Sequence, residues 1–472
     1  MSYFSDILSK HIKESGITIK YLSQISGFES SHITKFRNGS RKPNSEEKFK
    51  ILVNALQLSP ADQERLMNAY YIEHIGEEKY SQYMAVVELL ESCDKLPKIQ
   101  VLSYYNHDLS NISVVEGDNN VVNVMSMVME KECNRANGEF SVMAQPSNNN
   151  LMNLLFKSVV NHPGVKVRHI VQLMALQKDS ASTIHNVNCA REMLFLMRQS
   201  SRYSPYYYYE KNIVYRDNLM LLPNIIITSE NVLCISGNYE YAFLHNDSNI
   251  IDFYRNLFET QLEKCSSFGT LYSTLIDTMN NGQSVYTKAE NKCATVLEFQ
   301  PCLTPFMKPE YIQKFLKNPG VLNEVLVKFF SEYLITLKSF YMIDCFSLEG
   351  INEFLQCGVL MYLRTTMNPF PLEERKKIVL EMLETVERNE REIHIVKPSF
   401  MEITKSLSIL CVNNHDVSME LCYPNDELNS LTFSEQNINN AVGEFMNFLP
   451  DSPFVYSNEE SVQIVKELIN QI

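Results

Sequence analysis

The side chains whose types and spacing suit one kind of chemistry lie between Thr18 and Lys50. That window holds Lys20, Lys35, Arg37, Arg41, Lys42, Lys48 and Lys50 against Glu29, Glu46 and Glu47, a local charge of +4. The chain of 472 residues carries −14, so −18 falls on the remainder. A small basic patch on an acidic body draws a polyanion to one face and repels it from the others. Signatures of catalysis are missing: there is no H-E-x-x-H, no calcium-binding loop, no Walker A loop, no G-x-G-x-x-G and no G-x-S-x-G. The 14 glycines are too sparse for repeated phosphate cradles. Eleven cysteines are scattered singly without a C-x-x-C pair, several in apolar runs such as VLCISG and SILCVN, and read as reduced core thiols. Neither a metal nor a cofactor is expected.

Two further groups are weighed and set aside. Tyr203 and Tyr206–Tyr209, preceded by Arg198 and Arg202, suit a cleft or an interface, but a loop packing its rings on the body is the simpler reading. His162, His169, His185 and His245 have no matched acid partners in sequence and count as ordinary residues.

Length alone implies two to four domains. With 45% hydrophobic and 21% charged residues the composition is that of a soluble globular chain. The longest apolar stretch, around Val121–Met129, is broken by Asn123 and Ser126 and is too short to cross a bilayer. The opening residues lack an apolar signal-peptide core, so a cytoplasmic protein is expected.

Helices must position the basic window. Phe4, Ile7, Leu8, His11 and Ile12 recur at helical spacing up to Gly16. Thr18 caps a second helix, Ile19–Ser26, with Leu22 and Ile25 expected inward, and Gly27 supplies a tight turn. A third helix, Ser30–Asn38, buries Ile33 and Phe36 and stops at Gly39. A fourth, Ser45–Leu56, turns Phe49, Leu52, Val53 and Leu56 inward.

The run GITIKYLSQISGFESSHITKFRNGSRKPNSEEKFKILVNALQLS resembles the Cro/cI-type (XRE) helix-turn-helix family over about Ile7–Tyr70. The family's turn glycine matches Gly27, its buried third-helix position Ile33, its helix-ending pair Asn38-Gly39 and its following proline Pro43. The resemblance implies a lambda-repressor-like all-α domain whose third helix enters the major groove of double-stranded DNA. Ser30, Ser31, Thr34 and Lys35 would then face base edges, with Lys35 best suited to guanine O6/N7. Thr18, Lys20, Arg37, Asn38, Arg41 and Lys42 would contact phosphates, and His32 joins them as a residue that suits either role. Two positions depart from the family: Ile19 stands where a polar residue is usual, and Glu29 where Ser or Thr is usual.

Ser59–Cys93 continues as a helical connector suited to pairing two subunits, and Lys95–Asn120 reads as a loop-rich linker. From Val121 strands and helices alternate. Helices are expected at Val121–Asn137, Leu151–Val160, Ile184–Ser200, Ile250–Lys264, Leu322–Ser339, Leu348–Tyr362, Leu372–Glu392, Glu435–Phe448 and Glu459–Ile472. Strands are expected in FSVMAQP, VKVRHIVQLM, LMLLPNIIITS, NVLCISGN, EYAFLH, EIHIVKP, SLSILCVNN and VSMELCY. The expected architecture is a helical domain (1–72), a connector (73–120) and an α/β (α+β) body of two related lobes (121–285 and 286–472). The lobes are matched by the shared order strand, turn, strand, loop, helix in NVLCISGNYEYAFLH… and SLSILCVNNHDVSMELC….

FSVMAQPSNNNLMNLLFKSVVNHPGVKVRHIV and NIIITSENVLCISGNYEYAFL also resemble the layout of phospholipase-D-like domains. That family's chemistry needs His-x-Lys followed by Asp, and the only His-x-Lys here is His11-Ile12-Lys13 in the helical domain. The resemblance implies a catalytically dead body with a cleft between lobes, a natural effector site. The expectation is therefore a dimeric one-component transcriptional regulator and not an enzyme, its body sensing an unknown small molecule or peptide. The alternative is a hydrolase-like enzyme targeted or autoregulated through a DNA-binding head.

Overall fold

The computed structural model describes residues 2–93, 109, 113–175, 180–210, 222–272, 275–317, 331–364, 367–405, 407–413, 416–422 and 428–472. N-terminal helices are followed by a larger α/β body with two mixed sheets. The chain divides into two compact units, one ending at Met84 and the other running from Ala85 to Ile472. Among the described residues no helix is long and apolar enough to cross a membrane.

The first unit contains α1 (Tyr3–Ser15), α2 (Ile19–Ser26), α3 (Ser30–Arg37), α4 (Glu46–Ala55), α5 (Pro60–Ile75) and the start of α6 (Glu77–Glu91). Caps set these boundaries. The Thr18 hydroxyl accepts from the Tyr21 N–H at 3.3 Å, and Ser45 and Ser59 do the same for α4 and α5. Phe4, Leu8, Leu22, Ile33, Phe36, Phe49, Leu52, Leu66 and Tyr70 close one core, with Phe49 stacked on Tyr70 at 4.8 Å. Ile25 departs from expectation. It is 42% exposed, and Ser26 takes the inward position because its hydroxyl donates to the Leu22 carbonyl at 2.6 Å.

The second unit repeats one topology twice. Its first half contains β1 (Val114–Glu116), α7 (Asp118–Cys133), β2 (Glu139–Met143), α8 (Asn149–Asn161), β3 (Lys166–Met174), α9 (Ser180–Gln199), β4 (Tyr203–Glu210), β5 (Asn224–Ile227), β6 (Val232–Ile235), β7 (Tyr241–His245) and α10 (Ser248–Leu262). After β8 (Ser266–Ser267), the second half contains β9 (Gly269–Tyr272), α11 (Leu275–Thr287), β10 (Cys293–Glu298), α12 (Pro309–Phe315), a helical stretch at 331–338, β11 (Tyr341–Ser347), α13 (Leu348–Cys357), α14 (Leu372–Glu387), β12 (Arg391–Val396), β13 (Leu407–Val412), β14 (Asp416–Cys422), β15 (Leu428–Phe433) and α15 (Gln436–Phe448). A final helix, α16 (Asn458–Asn470), follows. The sheet orders are β1-β7-β6-β5-β2-β3-β4-β8 and β12-β11-β10-β13-β14-β15-β9. In each, three parallel strands (β2, β3, β4; β10, β11, β12) join an antiparallel set through the first of the three.

Several sequence expectations are corrected. The described end of the supposed linker, up to Asn120, holds β1 and the start of α7; the rest lies largely outside the described residues. The tyrosine-rich loop is β4, whose Tyr203 and Tyr207 are buried while Tyr209 is 45% exposed. The helix expected at Val121–Asn137 is shifted to Asp118–Cys133. Leu348–Tyr362 breaks at Gly358, which adopts φ +73° where a Cβ would meet the Phe370 carbonyl at 2.3 Å. Leu372–Glu392 ends at Glu387 and leaves Leu380 exposed. Much of Leu322–Ser339 lies outside the described residues. Because β9 and α11 belong with the second sheet, its half begins before residue 286. The counterparts of β13 and β14 are β5 and β6, one strand earlier than the sequence matching placed them.

The repetition extends to buried polar chemistry. His169 is the fourth residue of β3, opposite Val142, and Asp344 is the fourth residue of β11, opposite Val296. His169 Nδ1 meets the hydroxyl of Tyr203, the first residue of β4, at 2.8 Å; Asp344 Oδ2 accepts from Nη1 of Arg391, the first residue of β12, at 3.1 Å. Each is also tied to backbone just beyond the first parallel strand, His169 Nε2 to the Ala144 carbonyl at 3.0 Å and Asp344 Oδ2 to the Cys302 N–H at 3.0 Å. A carbonyl only accepts, so Nε2 carries the proton, Nδ1 accepts from Tyr203 and the imidazole is neutral.

Burial pushes the His169 pKa down to about 4, partly offset by the hydrogen bond to Ala144. The unfolded chain therefore binds this proton more tightly than the folded one. The stabilisation is complete above the usual histidine range near 6.5 and is lost as pH falls from there toward about 4. Replacing His169 with Gln should remove up to about 1.4 kcal/mol per pH unit from the pH dependence of unfolding in that window. Denaturant titrations of both proteins from pH 7 to 4.5 check this, and parallel curves would show that His169 does not titrate on unfolding.

Candidate nucleic-acid interface

The α2–turn–α3 unit is built from its own short polar contacts. Gly27 adopts φ +71°, a left-handed conformation that lets the chain reverse directly after Ser26. The Ser23 hydroxyl donates to the Phe28 carbonyl at 2.7 Å, bracing the turn, and Phe28 packs edge-on against Phe36 at 5.1 Å. With Ile33 and Phe36 fully buried, α3 is left with one face free.

That face carries Ser30, Ser31 and Lys35, all exposed, and a half-buried Thr34. Two of the hydroxyls are engaged locally. Thr34 Oγ1 donates to the Ser30 carbonyl at 2.9 Å, leaving its lone pairs free, and Ser31 Oγ donates to Glu29 Oε2 at 3.3 Å. Glu29 occupies the N-cap position of α3 without a capping hydrogen bond.

Thr18 and Lys20 are exposed at the start of α2. Arg37 and Asn38 end α3, and the Nε of Arg37 is enclosed without a hydrogen-bond partner. His32 is held at 2.5 Å from Arg41 Nη1; arginine only donates, so His32 Nε2 accepts and the two form one unit. Lys42 is exposed but donates to the Glu73 carbonyl near the end of α5, where a cation also complements the helix dipole. Lys48 belongs to the basic window but received no site role from the sequence, and Tyr21 received none. Lys48 Cε lies 3.8 Å from where a Cβ on Gly27 would stand, which puts an exposed cation beside the turn. Tyr21 is 50% exposed on α2. The helical period of IKYLSQIS, read with Ser26 instead of Ile25 inward, would have revealed it. Glu46 faces elsewhere, bonded to Tyr71 and Lys50.

The only His-x-Lys lies in α1 of the first unit, with His11 buried. Among the described residues of the second unit, His185 lies 3.5 Å from Cys189 Sγ, and His245 stacks on Phe243. Burial pushes the thiols of Cys133, Cys189, Cys234, Cys302 and Cys345 up, which makes them poor nucleophiles. Two cavities lined by described residues are each built from one half of the body. One, at the ends of β2 and β3 beside Asn224, measures about 20 Å³, room for a single water. The other, of about 200 Å³, lies where β11 and β12 begin.

Asp344 and Arg391 stand behind that larger cavity. Burial pushes the Asp344 carboxyl up to about 6, against the pull of Arg391, the Cys302 N–H and His394. No protein-family model and no curated protein sequence matches the chain.

The α2–α3 unit depends on Ile33, and truncating a fully buried aliphatic side chain costs about 2–5 kcal/mol. In the full chain, Ile33→Ala should therefore lower hydrogen-exchange protection of peptides from α2 and α3 by roughly 30-fold or more. Peptides from β10–β12 should not change. Undiminished protection in α2 and α3 would show that Ile33 does not hold them together.

Proposed function

We propose that the protein is a sequence-specific DNA-binding transcriptional regulator, acting as a dimeric one-component sensor in the cytoplasm. The observation that carries this reading is the α2–Gly27–α3 arrangement. One face of α3 packs on the core, and the other presents Ser30, Ser31, Thr34 and Lys35 beside Lys20, Arg37 and Arg41. We read this arrangement as a lambda-repressor-like helix-turn-helix whose third helix enters the major groove. Lys35 is the residue for guanine, with the serine and threonine hydroxyls as less discriminating contacts. The surrounding cations, together with Thr18, His32 and Asn38, fix the register on phosphates. Lys42, held by the Glu73 carbonyl, serves first to brace α5 and only secondarily the DNA.

The −18 carried outside residues 18–50 favours approach by that face alone. One head covers too little DNA for a tight specific site, so two copies are required on a two-fold operator. We read the body as a non-catalytic, phospholipase-D-like sensor. Its duplicated mixed-sheet topology and the lack of a His-x-Lys within it support that reading.

Selection of duplexes from a random library by the full chain, followed by fluorescence anisotropy, tests the proposal. An enriched, two-fold-symmetric sequence is expected, with affinity falling steeply between 50 and 200 mM salt, about the range over which counterion release dominates. Lys35→Ala should cost about 1–3 kcal/mol on the selected duplex and relax one base position. Arg37→Ala should weaken all duplexes alike and lower the salt slope by about 1. No enriched sequence, or binding indifferent to both changes, would overturn the assignment.

A further inference from the structure

The cavity at the start of β11 and β12 is walled by Phe306, Phe340 and Met342 and floored by Arg391. Arg391 is only 3% exposed. Its Nη1 donates to the Cys302 carbonyl at 2.9 Å and to Asp344 Oδ2 at 3.1 Å, and its guanidinium lies 4.9 Å from the centre of the Phe306 ring. These contacts fix the orientation of the fork but use one of its three nitrogens. Among the described residues Nε and Nη2 make no hydrogen bond, and they are not among the sealed polar atoms, so they stay open to water or to a ligand. Asp344 Oδ1, by contrast, is enclosed without a partner, so the pair does not satisfy itself.

The acidic residues on the rim are already matched. Glu390 accepts from Arg388 at 3.1 and 3.0 Å, and Glu381 faces Lys308 at 3.8 Å. Lys338, also on the rim and exposed, has no acidic partner among the described residues and leaves the opening cationic. In the first half of the body the equivalent positions hold His169 and Tyr203, which satisfy each other. The unmet donors belong to the second half.

We infer that this cavity is a binding site for a small aromatic carboxylate. The carboxylate accepts from the free edge of the Arg391 fork, where paired donors match its geometry. The ring lies against Phe306, Phe340 and Met342. The volume suits a one-ring ligand: an apolar cavity of about 150 Å³ holds benzene, and this half-open one of about 200 Å³ leaves room for the carboxylate. The inference does not rest on the DNA-binding reading, since it concerns only the body.

Isothermal titration calorimetry of the full chain, without DNA, with benzoate, phenylacetate and the neutral isostere benzamide tests it. At least one carboxylate should bind, at least tenfold more tightly than benzamide. Thr385→Phe should fill the cavity from α14 and abolish binding while leaving the Asp344–Arg391 pair and the melting temperature in place. Lys338→Ala should weaken binding two- to fivefold. Arg391→Gln should remove the preference for carboxylate over amide, read only if the variant melts cooperatively. The inference is overturned if none of the three probes binds, if benzamide binds as well as the carboxylates, or if a folded Thr385→Phe protein binds like wild type.

Discussion

Residues 266–272 are bound into both sheets of the body, and the arrangement of the two halves depends on that short segment. Ser266 and Ser267 pair with Tyr207 and Tyr206 at the edge of the first sheet, and Gly269–Tyr272 pair with Phe433–Ser430 of the second. Between them Phe268 is fully buried. Its N–H donates to the Pro205 carbonyl, its carbonyl accepts from Ser434, and its ring meets Tyr207 and Phe433 edge-on at 6.1 and 5.9 Å. A Cβ on Gly269 would stand 2.9 Å from the Thr432 carbonyl, so the close approach needs glycine. The Tyr209 hydroxyl donates to Glu435, the N-cap of α15, adding a polar tie beside this seam. The same short segment thereby supplies an edge strand to each sheet, β8 to the first and β9 to the second, and the duplicated topology is joined without a separate linker domain.

Once the halves are joined, their differences lie in what each does with its equivalent polar positions. The first half uses neutral groups: a histidine, a tyrosine and a carbonyl whose donors and acceptors balance. It also buries Glu132, whose carboxylate is filled by the Glu139 and Ser229 N–H groups and the Ser229 hydroxyl. The second half places an ion pair at the corresponding strand positions, and its carboxylate keeps one enclosed oxygen without a partner. Replacing one partner of such a buried pair strands a charge, so the pair constrains later change more strongly than the neutral set does.

How much of this was legible in sequence follows from how local each feature is. The head reads well because glycines and cap residues act within three or four positions, and α1–α4 begin and end where Gly16, Thr18, Gly27, Gly39 and Ser45 place them. Ile25 misled because a serine with a backbone acceptor can replace an aliphatic residue inside. β4 was hidden by tyrosines, which alternate like any strand but look polar, and β11 by Asp344, a charge in the middle of YMIDCFS. The candidate DNA face depended on the helices and was largely visible. The Asp344–Arg391 pair spans 47 positions and the walls of its cavity come from three separated stretches of chain, so no spacing rule could have shown it.

Charge and topology together set how a signal could arise. On the proposed DNA-binding reading, affinity comes mainly from phosphate contacts, which a +4 window makes only weakly against a −18 remainder. On that reading, specific occupancy would lean on two heads held at a fixed spacing, because pairing multiplies modest affinities when the geometry matches. Any ligand that orders the second half acts on the element that supplies its walls. Those walls are the turn after β10, the end of α14 and the first residues of β11 and β12. These are the connections between parallel strands, not the antiparallel edge joined at Phe268. Occupying the cavity would tighten the end of the second sheet remote from the seam, leaving the join between halves unaltered. If the body is the sensor proposed, it would transmit by stiffening one half against the other, and the differential affinity of the ligand for the stiffened state would set the limit of its effect.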